Sequence, residues 1–229
     1  MTNHDDQAED IDVALQTSAT QRTPCVLVLD TSGSMGADGR IDQLNAALQQ
    51  FETTIRGDEI LRQQVILCVI GFGTDVTVLC DWTQADEFNA PQLVAGGQTA
   101  MGGAMATAHA AVEDLRGKLK TEGIPYTRPW IFLMSDGNPT DDWQAAAADS
   151  RSRCEAKRTV VWPFGVTGAD PNALHAFARP DMDVYSLENA NFDEIFRWLA
   201  SSLGALASSR PGQQLQLPPP PATALQISV

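Results

Sequence analysis

Apolar positions along the 229-residue chain alternate between short, nearly continuous runs and longer stretches of helical spacing. "PCVLVLD" (24–30), "QVILCVIGF" (64–72), "VTVLCDW" (76–82), "PWIFLMSD" (129–136), "RTVVWPFGV" (158–166) and "DVYSL" (183–187) read as strands. Between them lie stripes with the period of a helix. The first is Ile41, Leu44, Leu48, Phe51 and Ile55, the second Met105, Ala108, Val112, Leu115 and Leu119. Residues 141–157 and 171–178 predict two further helices. A final one over 191–206 carries Phe192, Ile195, Phe196, Leu199, Leu203 and Leu206, with Asn191 and Glu194 spaced as in a capping box. Strands this apolar are buried on both faces. The chain is therefore α/β, with a mostly parallel central sheet, helices on both faces and one antiparallel edge strand contributed by the 64–82 hairpin.

Three regions follow. Residues 1–22 form an acidic, flexible leader (Asp5, Asp6, Glu9, Asp10 and Asp12 against Arg22), residues 23–207 the folded domain, and residues 208–229 a proline-rich tail. Four consecutive prolines favour an extended tail, and its "ALQISV" is apolar enough to add a strand to an exposed edge, of a partner or of the domain itself. A net charge of −14 excludes nucleic acid and anionic membrane surfaces as main partners. No apolar run approaches the roughly 18 residues of a membrane span, and the leader lacks the apolar core of a signal peptide. Cys25, Cys68, Cys80 and Cys154 form no CxxC pair, and His4, His109 and His175 stand at no ligand spacing from them. They read as reduced core thiols of a cytoplasmic protein. The alternative is a Cys68–Cys80 bond, if the hairpin turning at Gly73-Thr74-Asp75 sets those two residues opposite each other.

The chemistry concentrates at three strand ends. Asp30, Ser32 and Ser34 alternate after the first strand, Thr99 follows a glycine pair in "AGGQTAMGGA", and Asp136 ends "FLMSD". Ligands of open α/β sheets bind outside the carboxyl ends of the strands. Two carboxylates and three hydroxyls, with no nitrogen or sulphur, make a donor set for a hard cation: Mg²⁺ first, with Mn²⁺ or Ca²⁺ as alternatives. Met35, Gln98, Met101, Asn138, Pro139 and Trp143 flank these donors as a candidate rim for a protein partner. Asp141 and Asp142 read as caps of the helix that follows them. With no histidine in the three loops, no G-x-S-x-G elbow and no Walker sequence, the chain reads as a binding module and not an enzyme. A metal-dependent hydrolase and a subunit with a purely structural metal stand as alternatives.

"DTSGSM", the later threonine in a glycine-rich loop and "SDG" after a strand resemble the von Willebrand factor A domain over about residues 23–206. The resemblance implies a three-layer Rossmann-like fold and a metal-ion-dependent adhesion site of pattern D-x-S-x-S…T…D, here Asp30, Ser32, Ser34, Thr99 and Asp136. An open coordination position there takes an acidic residue of the partner. "SDGNPTDDW" further resembles bacterial tellurium-resistance TerY-type proteins, which implies a cytoplasmic signalling role beside a protein kinase and a PP2C-type phosphatase. Two features depart from the pattern: Gln98 is inserted before the threonine, and the tail is proline-rich where some relatives are cysteine-rich.

Overall fold

The computed structural model describes residues 20–187, 191–209, 215–221 and, as backbone, 223–225; the acidic leader up to residue 19 lies outside them. Seven strands, β1 (Thr23–Asp30), β2 (Val65–Phe72), β3 (Val76–Gln84), β4 (Trp130–Ser135), β5 (Val160–Val166), β6 (Val184–Leu187) and β7 (Thr223–Leu225), form one sheet in the order β3-β2-β1-β4-β5-β6-β7. The α-helices among the described residues are α1 (Arg40–Gly57), α2 (Glu59–Gln64), α3 (Met101–Thr121), α4 (Gln144–Glu155), α5 (Pro171–Ala176) and α6 (Phe192–Ala207).

The period-2 alternation of β1 builds the three layers. Cys25, Leu27 and Leu29 point to one face, where α1, α2 and α6 pack; Val26 and Val28 point to the other, beneath α3, α4 and α5. Every residue of β1, β2 and β4 is buried, as expected of strands covered on both sides. The five parallel strands run from β2 to β6. β3 is the antiparallel edge strand foreseen from the hairpin, while the opposite edge carries a second, β7, contributed by the tail. The tail thus docks on the domain's own surface. Leu217 packs on the aromatic core, and Trp198 Nε1 donates to the Pro218 carbonyl at 2.9 Å.

The structure differs from the sequence reading at three points. A helix unforeseen in the sequence, α2, is capped by Asp58, whose Oδ1 accepts from the Ile60 and Leu61 amides at 2.9 Å each. Asn191 does stand at the start of α6, but its side chain makes no capping hydrogen bond. The hairpin does not align Cys68 with Cys80: irregular register sets Val69 opposite Cys80. Cys68 faces the α3 side and Cys80 the α1 side, and all four cysteines are free.

The topology locates the site. β1 pairs β2 on one side and β4 on the other, so the crossovers leave β1 in opposite directions and open a crevice at its carboxyl end. The β1–β4 register sets Leu29 beside Met134, which brings Asp30 level with Ser135.

Candidate metal centre

Asp30 ends β1 with its carboxylate fully buried. Oδ1 accepts the Ser32 amide at 2.7 Å, and Oδ2 accepts the hydroxyl of Ser135, the last residue of β4. Ser34 Oγ donates to Asp136 Oδ1 at 2.6 Å, so the 2.9 Å contact between the two serine hydroxyls is a donation from Ser32 to Ser34. A short 3₁₀ segment, Gly33–Gly39, then turns the chain through left-handed backbone at Asp38 (φ 54°) and Gly39 (φ 69°) into α1. Its first residue, Arg40, reaches back to Asp136 Oδ2 at 2.8 Å.

The second loop is laced to the first by backbone. Gly96 donates to the Thr31 carbonyl at 2.8 Å, and Gly33 to the Gly97 carbonyl at 3.1 Å. Gly97 has φ +79°, and any Cβ there would stand 2.3 Å from Thr74 Oγ1, so this position requires glycine. The inserted Gln98 is exposed, its amide donating to Thr74 Oγ1 at 3.0 Å. Thr99 is thereby kept in place. It exchanges hydrogen bonds with Thr140, amide to Oγ1 at 3.0 Å and carbonyl from amide at 2.9 Å. A Cβ built on Gly137 would lie 3.3 Å from Thr99 Oγ1 and 3.8 Å from Ser34 Oγ, so the two hydroxyls border one small space over Gly137.

The five candidate donors therefore come from three loops to one place. Asp30, Ser32, Thr99 and Asp136 are buried, and Ser34 faces solvent as the accessible side. Burial pushes the Asp30 carboxyl above its ordinary range; hydrogen bonds from Ser135 and Ser32 oppose the rise, and Asp136 adds to it. Arg40 is the counter-charge of Asp136, a cation that the stretch 25–36 does not contain. Asp30 has hydroxyl and amide partners but no ion pair among the described residues. Among the described residues no group of three His, Cys, Asp or Glu side chains gathers as a metal cluster. The donors here are two carboxylates and three hydroxyls, which suits an oxygen-seeking cation.

The flanking residues divide. Gln98 and Asn138 are exposed, Pro139 is half-buried, and Trp143 is half-buried against Phe177 with ring centroids 5.9 Å apart. Met35 and Met101 are fully buried in the two core layers and offer nothing to a partner. Asp141 caps α3, not the helix after it: its carboxylate accepts the Gly102 and Gly103 amides at 3.2 and 2.8 Å. Residues not picked out in the sequence are Ser135 and Arg40, on the site's two carboxylates, and the apolar pair Leu79 and Val94. Those two line a pocket of about 290 Å³ bounded also by Thr31, and Val94 is 78% exposed. A local signal existed for Ser135, which directly precedes Asp136. Arg40 lies 96 residues from the carboxylate it serves.

The family model described as von Willebrand factor type A domain matches residues 25–138, which run from within β1 past the last candidate donor. A comparison with curated proteins finds no match. Among solved structures, the chain is similar to a von Willebrand factor type A protein from Catenulispora acidiphila (18% identity, TM-score 0.62, covering 81% of this chain and 43% of that one). It is similar also to the vWF domain of the type V pili tip protein Mfa5 from Porphyromonas gingivalis (14%, 0.64, 86% and 99%). A third is proximal thread matrix protein 1 from the mussel byssus with a zinc-occupied MIDAS motif (17%, 0.50, 82% and 48%). At these identities the likeness is one of fold, and the chain spans under half the length of the first and third.

Proposed function

We propose that this chain, whose residues 25–138 match the von Willebrand factor type A family model, is a protein-interaction module whose contact with a partner runs through a divalent cation. Asp30, Ser32, Ser34, Thr99 and Asp136 would hold the ion, and Mg²⁺ is the assignment, with Mn²⁺ and Ca²⁺ sharing its preference for oxygen. Bound there, the ion would supply a site for one further anionic oxygen, such as a carboxylate of the partner. The observation that carries the reading is the buried Asp30, whose pKa is raised by burial and which has no cationic partner among the described residues. Exposed Gln98, Asn138 and Val94 would add selectivity around it.

We assign the site to binding rather than catalysis. His109 is engaged with Ser150 and His175 with the Pro180 carbonyl, while Asp141 is spent on capping α3. A hydrolase would need one of these, or an outside group, as a base. The narrower proposal is a cytoplasmic signalling role with a kinase and a PP2C-type phosphatase as partners. It draws on the resemblance of "SDGNPTDDW" to TerY-type proteins, and three buried free thiols suit a reducing compartment.

Capture of partners from native lysate tests this directly, in Mg²⁺ and in EDTA, with Asp30→Ala and Ser34→Ala as controls. The expected outcome is one or more proteins retained only by wild type with metal, while both variants keep wild-type circular dichroism. Equal retention in EDTA would move recognition to another surface. Global unfolding of both variants would make the metal a structural element.

A further inference from the structure

The ion pair between Arg40 and Asp136 joins two groups with very different surroundings. Asp136 is fully buried at its side chain, and Arg40 is 16% exposed. A buried carboxylate is costly without a cation, and the guanidinium supplies one together with a hydrogen bond at 2.8 Å. The same guanidinium has a second carboxylate within reach. Its Nη2 lies 3.6 Å from Asp38 Oδ2, on a side chain 85% exposed. Asp38 is held there by its left-handed backbone, φ 54°, in the turn that leads into α1. Arg40 therefore stands between an inner acid and an outer one.

We propose that Arg40 is the site's resident cation: it holds Asp136 while no divalent ion is bound, and it gives up Asp136 and turns outward to Asp38 as that ion binds. The inference rests on the metal-site reading above and adds to it a residue outside the five donors. Two cations cannot both draw on Asp136 at full strength, because like charges a few ångströms apart disfavour each other. Arg40 thus sets the affinity of the site. It keeps the metal-free crevice neutral enough to stay folded and makes the metal compete for its place. Asp38 lowers the cost of release by offering the departing guanidinium a partner in solvent.

The test is a Mn²⁺ titration, followed by calorimetry and by the loss of the free-Mn²⁺ paramagnetic signal. It compares wild type, Arg40→Gln, Arg40→Lys and Asp38→Ala, with Asp30→Ala as the site-dead reference. Arg40→Gln is expected to bind Mn²⁺ about tenfold tighter or more, the scale of removing one like charge from beside a bound cation. Arg40→Lys is expected to fall between it and wild type, and Asp38→Ala to bind more weakly than wild type. Melting temperatures supply a second readout: Arg40→Gln should melt below wild type in EDTA yet gain more from Mn²⁺. If Arg40→Gln binds as tightly as wild type or less so, and gains no more in melting temperature, Arg40 does not compete and the proposal falls. If Mn²⁺ binds none of these proteins, or binds Asp30→Ala equally, the metal-site reading itself falls and takes this inference with it.

Discussion

Asp141 precedes α4 by three residues yet spends its carboxylate on α3, accepting the amides of Gly102 and Gly103 in that helix's first turn. Those amides have no partner within the helix, and a negative charge there also suits the helix dipole. Asp141→Ala should therefore lower stability by about 1 kcal/mol in urea denaturation. Asp142→Ala, at an exposed neighbour, should leave it nearly unchanged. Loss of the cap should also loosen Thr99, which lies just before α3 and bonds Thr140 beside Asp141. The assignment of this cap shows what could be read at residue scale. Four of the five candidate donors were legible at the ends of β1 and β4, the first three by their alternation; Thr99 follows no strand end, since β3 stops at Gln84, and was marked only by its glycine pair. Which helix Asp141 caps, and where Asp136 finds its arginine, depend on loops that meet only after the sheet forms.

Between elements, the α3–α4 contact hides a titratable group. His109 Nε2 lies 2.9 Å from Ser150 Oγ, and that hydroxyl donates to the Phe177 carbonyl at 2.6 Å. The ring proton therefore sits on Nε2, and Nδ1 is buried with no partner among the described residues. Burial first, and then the Arg153 charge, push the His109 pKa down to about 4 from 6.5, against smaller opposing pulls from Asp149 and Glu113. The unfolded chain takes up this proton at a higher pH than the folded one. His109 accordingly costs stability as pH falls from 6.5 towards 4, on the order of 3 kcal/mol over that span. Denaturation midpoints measured from pH 7.5 to 4.5 should fall less steeply for His109→Gln than for wild type. At this scale the sequence spoke unevenly. Strands buried on both faces announce themselves as apolar runs. The six residues of α2 bury only Leu61, too little to make a stripe, and their one local sign was the capping Asp58. The hairpin was visible, but its irregular register, which parts Cys68 from Cys80, was not.

For the molecule as a whole, the tail completes the structure on the side of the aromatic core. Trp130, Trp162 and Trp198 cluster with Phe164, and residues 215–221 lie against them before β7 pairs with β6. Deleting residues 210–229 should therefore shift tryptophan emission to longer wavelength and cost about 2 kcal/mol of stability or more, from the lost Trp198–Pro218 hydrogen bond, the lost β6–β7 pairing and an uncovered Leu217 site. Unchanged emission would mean that Trp198 is shielded without the tail. Composition marked this segment as extended, and "ALQISV" as able to join a sheet; its first two residues, Ala224 and Leu225, do so on the β6 edge, while 226–229 lie outside the described residues. The N-terminal end of β1 and the end of α6 also meet, Gln21 Nε2 donating to the Ser209 carbonyl at 3.5 Å. That junction lies at the opposite pole from Asp30, a β1 length of roughly 26 Å away. A domain hung from this pole, whether grafted into a longer polypeptide or tethered to a bead or sensor chip, would hold its oxygen-lined crevice outward, and a pull on the tether would load β1 and the docked tail before it reached the loops around Asp30.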